Sequence, residues 1–200
     1  MGKQVNALLK EMCSSIGYIK KGELFIKEIN SDTYSTVHFN LASYQIKGHV
    51  LVAPMIGLHY ERVEQLLKDI SNYSWLKRYN NTIYEHIGYI MPNDAYVEWD
   101  FLEYETNPEN TINSFKNAIQ QFARAYYERF PNYESIISYI LENRSWNPIN
   151  YHCYARLPIL YYLVGQKQAG VDFINKALMN YSEANTLYTD EYISNYIKLP

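Results

Sequence analysis

Two hundred residues carry 18 lysines and arginines against 21 aspartates and glutamates, a net charge of −3, with 48% hydrophobic and 20% charged residues. That length and balance describe one globular domain of ordinary size and exclude a disordered tail, a collagen-like repeat and a coiled-coil rod. Without a global positive field there is nothing to hold a phosphate backbone, so nucleic acid is not an expected partner.

Residues 3–16 read as a first helix, with Val5, Leu8, Leu9, Met12 and Ile16 at helical spacing and Gly17 as its stop. The period then changes to two. Tyr18–Lys20 and Leu24–Ile29 form short strands around a Lys21-Gly22 turn, and Asn30-Ser31-Asp32 is the next turn. In the third strand Val37, Phe39 and Leu41 alternate with Thr36, His38 and Asn40, which predicts an antiparallel sheet with one covered face. A Lys47-Gly48 turn leads to His49–Gly57, apolar on both faces and therefore central, with Pro54 removing one ladder donor.

Tyr60–Ser71 returns to helical spacing, with Val63, Leu66, Leu67 and Ile70 on one face and Glu61, Arg62, Glu64, Gln65, Lys68 and Asp69 around the rest. Thr82–Met91 and Ala95–Leu102 read as a strand pair joined at Pro92-Asn93-Asp94; Ala95, Val97, Trp99 and Phe101 point one way, Tyr96, Glu98 and Asp100 the other. From residue 107 onward everything is helical. Asn107 caps a helix that has Pro108 at its first position, and Ile112, Phe115, Ile119, Phe122, Tyr126 and Phe130 form its stripe. Pro131 breaks it; Tyr133, Ile136, Ile137, Ile140 and Leu141 restart a shorter helix, and residues 143–150 are a linker. Helices over 151–164 and 166–181 hinge at Gly165, and a last one covers Asp190–Lys198. The expected fold is α+β in one domain: a helix and about five mainly antiparallel strands over 1–105, and about five helices over 106–200 packed on them.

Cys13 and Cys153 carry no disulfide spacing and read as buried free thiols. The opening residues Met1-Gly2-Lys3-Gln4 hold no signal-peptide core, and the longest apolar run, Val50–Leu58, contains Pro54 and Gly57 and is too short to cross a bilayer. The expected address is cytoplasmic, with no membrane partner. The 22 tyrosines follow a general enrichment in Tyr, Asn, Ile and Lys more than a dedicated contact surface.

The chain has no Walker loop, no dinucleotide fingerprint, no CxxC pair and no HExxH, so no cofactor and no metal are expected. Its five histidines include no pair at i, i+4; a site gathered from His38, His59 and Glu98 on an open sheet face is the enzymatic alternative. Cys153 follows His152 directly, but neighbours on a helix point about 100° apart, which is wrong for activating a thiol. Glu98 and Asp100 share one strand face with Cα atoms about 7 Å apart, and Glu103 and Glu105 continue the acidic run. Such a strip is solvated, docks a basic partner or splits into acid and base.

GYIKKGELF at Gly17–Phe25, VHFNL at Val37–Leu41 and PMIGLHYER at Pro54–Arg62 resemble a bacterial α+β domain family of unknown function, in which a helix precedes a G-[FY]-x-K-x-G-x-x-F hairpin. The resemblance spans about residues 5–70 and has the character of immunity proteins, which bind and block one cognate toxin. The element order is also similar to that of type III secretion chaperones, from which this chain departs in length and in its added helices. The function expected is therefore a non-enzymatic protein-binding module, an immunity factor in the form the resemblance implies, contacting its partner through Tyr73, Trp75, Tyr79, Glu98 and Asp100. A small hydrolase or ligand-binding enzyme is the alternative, and self-association through the sheet face is a third reading.

Overall fold

Left-handed glycines set the ends of the first elements. Helix α1 (Gly2–Ser15) stops where Gly17 takes φ +87°. There Gly17 N–H donates to the Ser14 carbonyl and Tyr18 N–H to that of Cys13, the paired bonds of a Schellman cap. Gly22, at φ +62°, then turns β1 (Ile19–Lys21) into β2 (Leu24–Asn30). The computed structural model describes residues 2–42, 48–73, 80–102, 108–142 and 151–200. The Lys47 half of the expected turn, the Asn107 cap, Glu103, Glu105 and the 143–150 linker lie outside these residues.

The architecture is α+β. Strands β1, β2, β3 (Thr33–Ala42), β4 (His49–Tyr60) and β5 (Ile83–His86) follow one another across the sheet, and β6 (Trp99–Leu102) also pairs with β4. The β1–β2, β2–β3 and β4–β6 ladders are antiparallel. β4 is the central strand, as its two apolar faces require. Its ladder to β6 ends at Val52–Trp99, two residues before Pro54, which has no N–H to offer.

The chain divides into two compact units that interleave in sequence, residues 1–59 with 84–129 and residues 60–83 with 130–200. Helix α4 (Glu109–Tyr127), expected in the helical half, belongs with the sheet, whereas α2 (Glu61–Ile70) belongs with the later helices. In the first unit Phe115 of α4 gathers the aromatic core. It lies 5.5 Å from the Phe39 ring and 4.8 Å, edge-on, from Trp99. Phe39 in turn meets Phe25 at 5.4 Å. The expected division of β3 holds at Val37, which is buried, but fails at both ends: Leu41 is exposed, whereas Thr36, read as solvent-facing, is fully buried.

Residues 82–91 do not form one strand. β5 ends at His86, whose Nδ1 accepts from Gly88 N–H and so caps a four-residue helix, α3 (Ile87–Ile90). Gly88 is required there, because a Cβ would stand 2.0 Å from the Ala95 carbonyl oxygen. β6 starts only at Trp99 and pairs with β4, so the expected hairpin between 82–91 and 95–102 is replaced by a helical turn and a change of neighbour.

In the second unit α2 buries Val63, Leu66, Leu67 and Ile70 as its spacing requires, and also Glu64, which the spacing had placed among the solvent-facing residues. Glu64 sits four residues after Tyr60 and three before Leu67, on the stripe itself. Its carboxylate accepts from Arg156 Nε and Nη2 at 2.6 and 2.7 Å and from Thr82 Oγ1 at 2.8 Å. Both members of the pair are about 1% exposed, so the two-pronged geometry and the third donor are what make their burial tolerable.

The single helix expected over 151–164 is two, α6 (Tyr151–Tyr154) and α7 (Leu157–Leu163), because Pro158 cannot donate to the Tyr154 carbonyl. Tyrosine hydroxyls take over at the break. Tyr188 donates to the Tyr154 carbonyl at 2.7 Å, Tyr192 to Ala155 at 2.8 Å and Tyr196 to Pro158 at 2.8 Å. Tyr188 closes α9 (Ala184–Leu187), and Tyr192 and Tyr196, four residues apart, stand on one face of α10 (Asp190–Lys198). Helix α5 (Tyr133–Glu142) buries Ile136, Ile137 and Ile140. Gly165, at φ +75°, hinges α7 to α8 (Lys167–Asn180) through the same paired bonds that end α1. Among the described residues no helix is long and apolar enough to cross a membrane.

Candidate functional site: an acidic and aromatic strip

Alternation along β6 and its approach sorts side chains onto two faces. Phe101 is buried and Trp99 half-buried, both against Phe115 of α4. Tyr96, Glu98, Asp100 and Leu102 are exposed, with Tyr96 at 56% and Leu102 at 46%. Each is placed by something local. Asp94 takes φ 44° in the turn after Pro92, and Ala95 N–H donates to the Gly88 carbonyl at 3.2 Å, laying the strand approach across α3. Tyr96 is thereby stacked on His86, with centroids 4.3 Å apart and planes 20° from parallel. Tyr89, 47% exposed, meets the same imidazole edge-on at 5.6 Å.

The acidic groups are held within this frame. Glu98 Oε1 accepts from the Tyr96 hydroxyl at 2.9 Å. Asp100 Oδ2 accepts from His49 Nδ1 at 2.7 Å across the β4–β6 ladder, with both side chains partly open to solvent. Burial pushes the His86 imidazole below its usual pKa, although Glu85 and Glu98 pull the other way. It is thus a neutral ring between two tyrosines, and the strip's negative charge is not offset from beneath.

Of the five residues expected to touch a partner, Glu98 and Asp100 belong to the first unit and Tyr73 to the second. Glu98 and Asp100 lie together on this strip, with Tyr96 between Glu98 and the turn. In the second unit the Tyr73 ring stacks on Tyr192 at 6.1 Å and its hydroxyl donates to the Leu187 carbonyl. Tyr73 is half-buried there. Trp75 and Tyr79 lie outside the described residues. Sequence reasoning missed Tyr89 and Leu102 as members of the strip. Leu102 continues the Tyr96–Glu98–Asp100 alternation and could have been found; Tyr89 reaches the strip only because α3 interrupts the expected strand.

The alternative His38–His59–Glu98 site is not supported by the placement of His59, which is fully buried and packs on Tyr34 at 5.7 Å. Among the described residues no group of three His, Cys, Asp or Glu side chains is placed to hold a metal ion. No family model matches the chain, and no curated protein or solved structure does either.

Proposed function

We propose that this chain is a non-enzymatic protein-binding module that docks a basic partner on the strip formed by Tyr89, Tyr96, Glu98, Asp100 and Leu102. The single observation carrying this reading is the combination of exposed aromatic rings with two neighbouring carboxylates on one face of β6 and its approach. Exposed tyrosine supplies large contact area at little entropic cost, and a leucine beside it adds apolar surface that water gives up readily. Carboxylates steer and orient a cationic partner. An immunity factor that blocks one basic toxin in a bacterial cytoplasm is the form of this function that the resemblance over residues 5–70 suggests.

The test is side-by-side capture by the tagged wild type and the Glu98→Lys/Asp100→Lys variant, from the lysate of the native host. The reading expects a stoichiometric protein of high isoelectric point on the wild type, lost or at least about tenfold weaker on the variant, with the melting temperature little changed. A partner retained equally by both proteins removes the strip from the account.

A further inference from the structure

A second feature of the first unit points to a small ligand. Between the end of α1, strands β2 and β3, and α4 lies a cleft of about 410 Å³. Its apolar wall is Ile16, Ile119 and Ala123, all buried. Its polar side is an assembly of donors, each with hydrogens to spare.

The deepest of these is a hydroxyl pair. Tyr18 Oη and Ser35 Oγ are 2.8 Å apart, and the two residues are 5% and 2% exposed. Two hydroxyls joined by one hydrogen bond spend one hydrogen between them. Whichever donates, the other keeps a hydrogen with nowhere to go, and neither hydroxyl has a further partner among the described residues. A buried donor in that condition costs free energy unless something in the cleft accepts from it. Burial also pushes the Tyr18 phenol up to about 12, so it remains a donor across the physiological range.

Above the pair are two cations. Lys27 Nζ donates to the Ile16 carbonyl at 3.0 Å and rests 5.8 Å from the centre of the Tyr18 ring, which leaves two of its three hydrogens free. Arg124 lines the same cleft and uses Nε on Glu128 at 2.8 Å, leaving its terminal nitrogens available. Among the described residues Glu28 is the only carboxylate on the lining. A more open depression shares Tyr18 with the cleft and is lined also by Lys10 and Lys20, which adds to the positive field.

We propose that this cleft binds a small organic anion, a carboxylate or phosphate ester, whose charged end meets Lys27, Arg124 and the Tyr18–Ser35 hydroxyls while its apolar body lies on Ile16, Ile119 and Ala123. The volume is within the range of small-molecule sites and suits a body about the size of one aromatic ring. This site is separate in its residues from the acidic strip, so it stands or falls independently of the partner reading.

Backbone amide shifts in the full chain, titrated with benzoate, phenyl phosphate and benzyl alcohol at millimolar concentration, test it. The expected result is saturable movement of the Tyr18, Lys27, Ser35 and Ala123 amides with one or both anions and none with the alcohol; the two anions separate a carboxylate from a phosphate preference. Arg124→Gln, an exposed change that leaves the core untouched, weakens that binding about tenfold by removing a charged hydrogen bond, and Lys27→Met does the same. The proposal is overturned by the absence of saturable shifts with either anion, by equal shifts with the neutral alcohol, or by undiminished affinity in Arg124→Gln and Lys27→Met.

Discussion

The Glu64–Arg156 pair shows how one residue's environment decides its worth. Two charges at about 1% exposure are expensive to bury, and they are held by two short bonds between them with a third from Thr82. Arg156→Met leaves the carboxylate with Thr82 alone, and the expected loss is about 3–5 kcal/mol in a urea unfolding curve. Removing both charges in Glu64→Leu/Arg156→Met restores more than half of that loss, because no unpaired charge remains. A double variant as unstable as the single would mean that Arg156 acts by packing. Protonation gives a second expectation at this scale. Burial lowers the pKa of both His86 and His152, and the nearby Arg156 lowers that of His152 further. Their folded-state values therefore lie below the ordinary 6.5, and the unfolded chain binds more protons in that range. Stability is full above that pH and falls as the pH drops through it. Urea midpoints measured between about pH 7.5 and 5.5 should decline, and His152→Gln should flatten the decline.

At the scale of elements, the tyrosines of α9 and α10 account for part of the compositional excess. Tyr188, Tyr192 and Tyr196 are all but fully buried, and each hydroxyl meets a carbonyl of the α6–α7 segment, where Pro158 has broken the helix. These rings are core, not contact surface. Gly170 of α8 makes room for the last of them, since a Cβ there would lie 2.1 Å from the Tyr196 hydroxyl. Alanine normally stabilises a helix interior relative to glycine by about 1 kcal/mol, yet Gly170→Ala should destabilise by about 1–3 kcal/mol, with Tyr196→Phe in the same chain recovering part of the cost. A stabilised Gly170→Ala protein would contradict the crowding at that point. Gly88 has the same role in the other unit, where it lets the Ala95 segment lie on α3 and so fixes Tyr96 over His86. Gly88→Ala should therefore displace Tyr96 and weaken partner capture even though residue 88 is itself buried.

At the scale of the molecule, what the sequence revealed was what local chemistry determines. The stop at Gly17, the hinge at Gly165 and the span of α10 depend on glycine dihedrals and on the Thr189 cap, and all three are where the spacing placed them. The α+β order and the outward alternation of Glu98 and Asp100 were legible for the same reason. Contacts between residues far apart in the chain were not. Glu64 reads as a solvent-facing helix residue until Arg156 arrives beside it, and α3 reads as a strand until Gly88 meets the Ala95 carbonyl. The interleaving of the two units, with α4 beside the sheet and α2 among the later helices, depends on such contacts throughout.

The central claim is that the acidic and aromatic strip is where a basic partner docks, and comparative capture by the wild type and Glu98→Lys/Asp100→Lys tests it most directly. The account predicts one stoichiometric basic protein on the wild type and its loss from a variant that melts at nearly the same temperature. Equal retention of every captured protein by the two forms would contradict it.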